Sequence, residues 1–166
     1  DHEEVGSHTE TGAAGPLLEQ VLRRCARATG QVEAFERMLA ASSCLSADVA
    51  HSVNPNYPEK HDPDTRPVMG AGPVLKLNAS QRYATDAAGW HIWEDAAQRS
   101  GVSTQRFVSK NTVTCGSTIA PMTATRLGIT TIDVGVPILS MHAAREMCAL
   151  SDQVEMAKIM QVYLQK

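Results

Sequence analysis

The stretch Thr130-Thr131-Ile132-Asp133-Val134 is rich in β-branched residues, a composition that favours an extended strand. Val74-Leu75-Lys76-Leu77 predicts a second, buried strand with one polar interruption. Residues 43–50 alternate loosely and predict a third strand, and residues 106–109 predict a fourth, short one. These segments together predict a sheet.

Helical patterns separate the predicted strands. Apolar spacing, capping residues and terminal glycines predict five helices, which start near Pro16, Val32, Asp86, Ser117 or Thr118, and Ser151-Asp152. Strands that alternate with helices indicate an α/β layered fold with a partly parallel sheet and flanking helices. The proline-rich residues 54–72 predict an irregular excursion, and Gly135-Val136-Pro137 predicts a loop.

The bulk composition excludes several classes of protein. The 166 residues suit one domain, and 43% apolar with 20% charged residues are typical of globular chains. A net charge of −3 gives no electrostatic footprint for nucleic acid or an anionic membrane. No apolar run approaches the ~18 residues that span a bilayer. We expect the four cysteines to be reduced and mostly buried rather than paired in two disulfides.

Four side chains carry the candidate chemistry. Glu3 and Glu4 are adjacent carboxylates, which repel each other unless they share a cation or a reacting proton. Asp48 and His142 are expected near strand ends, and carboxylate with imidazole suits a hydrolytic metal site. Alternatives are open for each: a solvated Glu-Glu edge, a turn cap at Asp48 and a structural role for His142. Cys115-Gly116-Ser117-Thr118 is typical either of an anion-binding helix start or of a plain capping segment.

Several ordered runs together resemble the carboxyl-terminal part of aspartyl aminopeptidase, the M18 family of metallopeptidases. The runs lie at residues 1–7, 46–51, 54–57 with 60–61, 72–78, 81–84, 115–119, and 140–142 with 145–147. The resemblance implies a zinc-exopeptidase (phosphorylase/hydrolase-like) catalytic domain and a cytoplasmic oligomer, in this family a dodecamer. The chain departs from the family pattern at Thr112 and Thr114, where the family usually has an Asp and a Pro.

The resemblance also implies a role for each matching position. Glu3 would be the general base, and Glu4, Asp48 and His142 would ligate two divalent metal ions, Zn first, with Mn or Co as alternatives. The substrate-pocket positions would be His51, Lys76 and Tyr83. The implied reaction removes amino-terminal Asp or Glu from peptides through a water that the metal pair activates.

Two of the pocket residues also have simpler interpretations. Lys76, on an otherwise apolar strand, is a plausible cation for an acidic substrate side chain, or else reaches solvent at a sheet edge. Tyr83 either hydrogen-bonds substrate or packs with its hydroxyl satisfied.

The resemblance implies that residues 1–166 are the carboxyl-terminal portion of the catalytic domain, with a histidine ligand, a bridging aspartate and a dimerisation domain upstream. Two hypotheses from other classes follow. The chain is a non-catalytic fragment that associates with a complementary half or oligomer, or it is a homologue that kept the fold and lost the activity. We expect the isolated chain to be inactive.

Overall fold

The computed structural model describes residues 6–165, and over that range it confirms the predicted α/β class. The strands are β1 (Ser43–His51), β2 (Val74–Leu77), β3 (Gln105–Val108), β4 (Thr130–Leu139) and β5 (Met147–Cys148). The helices are α1 (Leu17–Arg27), α2 (Ala34–Ala40), α3 (Ala87–Ser100), α4 (Ala120–Leu127) and α5 (Leu150–Tyr163). A single 3₁₀ turn, Pro58–Lys60, interrupts the predicted irregular excursion.

One mixed sheet joins all five strands. The strand order is β1-β4-β2-β3, and β5 pairs with β4. β4 is parallel to β1, from Thr130 opposite Ser43 to Ile138 opposite His51. β2 and β3 are parallel to each other, whereas β4 is antiparallel to β2 and to β5. The sheet is therefore partly parallel, as the sequence predicts.

β4 is longer than predicted, because Gly135-Val136-Pro137 continues the strand instead of forming a loop. A Cβ on Gly135 would lie 2.6 Å from the carbonyl carbon of Val49, so glycine here allows β1 to approach closely. The carbonyl of Ile138 accepts from the N–H of Ser52, so the polar groups of Pro137 point away from β1. β4 pairs with β2 only as far as Gly135. The N–H that Pro137 lacks is therefore not needed for hydrogen bonding to β2.

Helix α3 starts and ends as predicted. The Asp86 side chain accepts from the N–H of Gly89 at 2.7 Å, and Gly101 ends the helix at φ +68°. A Cβ on Gly89 would lie 3.0 Å from Ile132, so this glycine lets α3 pack close to β4.

The starts of α4 and α5 correct the sequence analysis. Helix α4 begins at Ala120, after Ser117 and Thr118, and neither of them caps it. Helix α5 begins at Leu150, so Asp152 lies inside the helix. The Asp152 carboxylate is fully buried and accepts the backbone N–H groups of Gly70 and Gly72 at 2.7 and 3.0 Å. It therefore anchors the 70–72 turn rather than its own helix.

The main core lies where α3 and α5 pack against the sheet, and a smaller one lies beneath α1 and α2. The main core contains the fully buried residues Leu75, Trp93, Ala96, Ile132, Val134 and Ile159. The smaller core contains Ala26, Phe35, Leu127 and Ile129. No helix within residues 6–165 is long and apolar enough to cross a membrane.

The cysteines are free, as predicted, but less buried than expected. Cys25 is exposed on α1, and Cys44, Cys115 and Cys148 are half-buried.

Candidate active site

A cavity of about 370 Å³ lies beside the second half of β1. Five of the seven predicted site residues line it: Asp48, His51, Lys76, Tyr83 and His142. The other two, Glu3 and Glu4, lie outside the described residues. The sequence prediction that these distant positions share one site therefore agrees with the geometry of the five described side chains.

Four segments bring these side chains together, one of them the loop after β2 that carries Tyr83. Asp48 and His51 lie on β1, and Lys76 lies on β2, with β4 between the two strands. His142 follows β4 in a tight turn whose backbone is left-handed at Ser140 (φ +60°) and His142 (φ +66°). The N–H of His142 donates to Glu146 Oε1 at 2.6 Å, which supports this uncommon conformation. Glu146 also lines the cavity, although the sequence analysis gave it no role.

Lys76 and Asp48 form an ion pair at the cavity wall. Lys76 Nζ donates to Asp48 Oδ2 at 3.2 Å; the lysine side chain is 3% exposed and the aspartate 30%. A buried ammonium without a partner would be costly, and Asp48 supplies that partner. Lys76 does not reach solvent at a sheet edge, and Asp48 lies within β1 rather than capping a turn, so both simpler interpretations are wrong.

Tyr83 is buried against the aromatic wall of the cavity. Its ring centroid lies 6.0 Å from that of Phe107, and Lys76 Nζ lies 5.7 Å from the Tyr83 centroid. Burial raises the pKa of Tyr83 above its usual range, and Cys115 raises it further, while a hydrogen bond with Ser109 opposes the rise. The phenol therefore stays protonated.

Two histidines, His51 and His61, lie near each other. Desolvation is the main cause that lowers the pKa of His51. The nearby His61, Lys76 and His142 lower this pKa further, so the neutral imidazole is favoured. Burial also lowers the pKa of His61, although a hydrogen bond with the backbone of His51 opposes this. His61 was missed by the sequence analysis, since no partner is recognisable near it in the sequence.

A second cavity of about 210 Å³ shares His51, Tyr83, Phe107 and Gly116 with the first. Its remaining wall includes the basic side chains Lys60, His61 and Lys110. Lys110 Nζ donates to the carbonyl of Glu59 at 2.8 Å, which holds the ammonium at this wall. Among the described residues that line this cavity, no carboxylate balances the positive charge.

Asp133, in the middle of β4, is a buried carboxylate behind the cavity that the sequence analysis also missed. It is fully buried, and Thr118 Oγ1 donates to its Oδ1 at 2.7 Å. Burial raises the pKa of Asp133, and the hydrogen bonds from Thr118 and from the N–H of Ala84 oppose the rise. The sequence did contain a signal for Asp133, namely a charged residue within a β-branched strand. A buried charge requires partners, so such a residue indicates a polar site.

The donors at the first cavity suit zinc, although the described part of the site is incomplete. Asp48, His142 and Glu146 line the same cavity, and carboxylate oxygen with imidazole nitrogen are common zinc ligands. Within residues 6–165, no three His, Cys, Asp or Glu side chains form a group that could hold a metal ion.

Comparison with known proteins identifies the family. The model of the family described as aminopeptidase I zinc metalloprotease (M18) matches residues 1–164. A probable M18 family aminopeptidase 2 of Streptomyces avermitilis is 49% identical over 166 residues, which cover 99% of this chain and 38% of that protein. A probable M18 family aminopeptidase 2 of Pseudomonas aeruginosa is 44% identical over 160 residues, which cover 96% of this chain and 37% of that protein.

The fold is also that of solved aminopeptidases. The S. cerevisiae mApe1 dodecamer superposes with a TM-score of 0.83 at 35% identity, covering 99% of this chain and 38% of that chain. The chain thus spans about 38% of the length of the curated relatives that it matches. From the sequence runs, the fold and these matches together, the chain belongs to the M18 family of zinc metallo-aminopeptidases.

Proposed function

We propose that the complete protein is an aminopeptidase that removes amino-terminal Asp or Glu from peptides, and that residues 1–166 form the carboxyl-terminal part of its catalytic domain. The observation that carries this proposal is the cavity in which Lys76, His51 and Tyr83 lie beside Asp48 and His142. A binding group for an acidic side chain and ligands for a hydrolytic metal thereby share one wall.

The charges around the cavity support selection of an acidic substrate. An ammonium has three donors, and Lys76 uses one toward Asp48, so it can offer another to a substrate carboxylate. The neighbouring cavity adds the positive charge of Lys60 and Lys110. Tyr83, kept protonated by burial, can donate a hydrogen bond when its hydroxyl exchanges partners with the substrate.

The catalytic roles are those that the family resemblance implies, and the residue types suit them. Glu3, a carboxylate, would take a proton from the attacking water and return it to the leaving amine. Glu4, Asp48 and His142 would hold two divalent ions, Zn first and Mn or Co as alternatives. When bound, such ions lower the pKa of a water and stabilise the developing oxyanion.

The base assignment is tested by Glu3→Gln in the complete protein. We expect kcat to fall about 10²- to 10⁴-fold, the usual contribution of a general base, with the KM for an Asp-anilide changed little. Glu36→Gln, an exposed glutamate on α2, is the matched control. A Glu3→Gln variant that keeps turnover within about tenfold of the parent would show that the base lies elsewhere.

The acidic preference is tested by Lys76→Met with Asp, Glu and Ala anilides. Because a hydrogen bond to a charged group contributes ~1.5–3 kcal/mol, we expect kcat/KM for the acidic substrates to fall about 10- to 100-fold. The rate on the Ala substrate reports whether the site is intact and should change much less. Lys158→Met, an exposed lysine on α5, is the control. Equal losses on all three substrates would contradict the specificity role of Lys76.

We also propose a homo-oligomeric protein, on the basis of the dodecameric structural relative, and a cytoplasmic one, as the family resemblance implies. One alternative, a degenerate homologue that kept the fold, lost the activity and acts through association, makes a different prediction. It requires that residues 1–166 show no hydrolysis with added Zn and that the complete protein, also with Zn, show none either. Hydrolysis by the complete protein that disappears in Glu3→Gln excludes it.

A further inference from the structure

The buried carboxylate of Asp133 joins two segments of the cavity wall. Its Oδ2 accepts the N–H of Ala84 at 2.6 Å, and its Oδ1 accepts the hydroxyl of Thr118 at 2.7 Å. Ala84 directly follows Tyr83, and Thr118 belongs to the 116–118 segment, so each bond ends at or beside a residue that lines the cavity. We infer that Asp133 is a positioning residue that clamps these two wall segments together and sets the shape of the substrate pocket. The functional part of this inference rests on the proposed peptidase activity.

The two wall segments, residues 83–85 and 116–118, have weaker ties besides these bonds: Cys115, directly before the second segment, packs in the cluster that contains Tyr83. They lie more than thirty residues apart in the chain, and both consist of loop. Ser117 Oγ donates to the carbonyl of Arg82 at 3.2 Å, which is an exposed contact. The two bonds to Asp133 are shorter, and that carboxylate is fully buried, so they hold the segments more firmly.

The carboxylate of Asp133 accepts on both sides. A backbone N–H approaches one oxygen and a hydroxyl approaches the other. An asparagine would have to direct its Oδ1 at the N–H of Ala84, which cannot turn away, and its NH₂ group at the hydroxyl of Thr118, and it would lose the charge that strengthens both bonds. The backbone N–H of Asp133 in turn donates to Thr85 Oγ1 at 2.9 Å. The strand and the 83–85 segment are thereby joined at two points.

The test uses Thr118→Val in the complete protein, because this change removes one donor and keeps the side-chain shape. Thr118→Ser keeps the hydroxyl and is the matched control. The first measurement is the rate at which a thiol reagent modifies Cys115, followed by mass spectrometry of the modified peptides. Cys115 precedes the 116–118 segment and is half-buried, whereas Cys148 on β5 serves as an internal reference.

We expect Thr118→Val to increase the modification rate of Cys115, relative to Cys148, about tenfold. Losing a hydrogen bond to a charged group should raise by about that factor the population in which the 116–118 segment is detached from Asp133. Thr118→Ser should stay within about twofold of the parent on the same scale. In peptidase assays, Thr118→Val should raise the KM for an Asp-anilide about tenfold and change kcat less than about threefold, because the walls bind substrate and do not react. Asp133→Asn should act in the same direction, provided that thermal unfolding shows a folded protein.

Each other outcome overturns a defined part of the inference. Unchanged Cys115 modification in Thr118→Val would show that Asp133 does not hold the segment. Faster modification with unchanged KM would show a clamp that does not position the pocket. A complete protein without peptidase activity would defeat the proposed function, whereas the cysteine measurement would still decide whether the clamp exists.

Discussion

The two ends of β1 face opposite kinds of surroundings. Ser43, Cys44 and Leu45, at its start, line an apolar groove with residues of α1, α2 and α5. Asp48–His51, at its end, lines the cavity that contains the ion pair of Asp48 and Lys76. Both ends pair with the same neighbour, β4, in one unbroken parallel register. The difference between the ends therefore comes from side chains and not from the backbone ladder.

The contrast shows two ways in which one strand is held. At the cavity end, Asp48 and Lys76 depend on each other, because removing either leaves a charge without its partner. At the groove end, many weak apolar contacts each contribute a little, and Tyr163 adds a hydrogen bond to Ser43 at 2.8 Å. We expect substitutions to be strongly coupled at the first end and nearly additive at the second.

The largest effect is expected at Asp48. Asp48→Asn in the complete protein should lower kcat/KM at least ~100-fold, since outer partners of metal ligands alone contribute 10- to 100-fold. It should also lower the free energy of unfolding by about 3 kcal/mol. This value is the lower end of the range for breaking a buried ion pair, and we use it because Asp48 is 30% exposed. Assays and chemical denaturation measure both quantities.

A double variant sharpens this prediction. Asp48→Asn combined with Lys76→Met should recover much of the lost stability and none of the activity, because no unpaired charge is left. Exposed Asp64→Asn controls for the change in net charge. Stabilities that simply add in the double variant would contradict the coupling.

A smaller effect is expected at the groove end. Leu45 is half-buried and packs against the main core. Leu45→Ala should lower the free energy of unfolding by about 1–2 kcal/mol, less than the 2–5 kcal/mol of a fully buried leucine. The KM and kcat for an Asp-anilide should not change, because the groove lies apart from the cavity. Leu150→Ala, at a position 75% exposed, is the control. A rise in KM for Leu45→Ala alone would show that the two ends of β1 communicate.

Local sequence patterns were sufficient for most of the fold. The apolar and β-branched runs indicated β1 to β4, and Asp86 and Gly101 marked the ends of α3. The pattern misled at Gly135-Val136-Pro137, whose composition is that of a loop. Only the close approach of β1, more than eighty residues away in the chain, makes glycine suitable there. The helix α1 was predicted correctly, yet its apolar residues Leu17, Leu18 and Val21 are 44–46% exposed.

The candidate site was partly predictable for a similar reason. The family resemblance indicated the five described residues that line the cavity, since each belongs to a recognisable run. Asp133 and His61 were missed because their partners come from other parts of the fold, whereas the partner of Glu146, the N–H of His142, lies only four residues away. Asp133, for example, is satisfied by groups 15 and 49 residues away in the chain. A single sequence does not show such pairings.

The smallest effect is expected for the ionisation of His61. This ionisation tests whether nearby charges control the titration of groups at the cavity end of β1. Burial lowers the pKa of His61 and the guanidinium of Arg66 lowers it further, while the His51 backbone raises it. Arg66→Gln should therefore raise the pKa of His61 toward its ordinary value, whereas Arg24→Gln on the distant α1 should leave it unchanged. The exchange rate of the imidazole C2 hydrogen with pH, followed by mass spectrometry, measures this pKa in the complete protein.

Because the pKa of His61 is lower in the folded than in the unfolded protein, folding favours neutral His61. That contribution is fully present above the unfolded pKa and is lost as the pH falls through the folded pKa. A pKa that stays the same or falls in Arg66→Gln would show that burial alone controls His61, and the electrostatic contrast between the two ends of β1 would then be confined to Asp48 and Lys76.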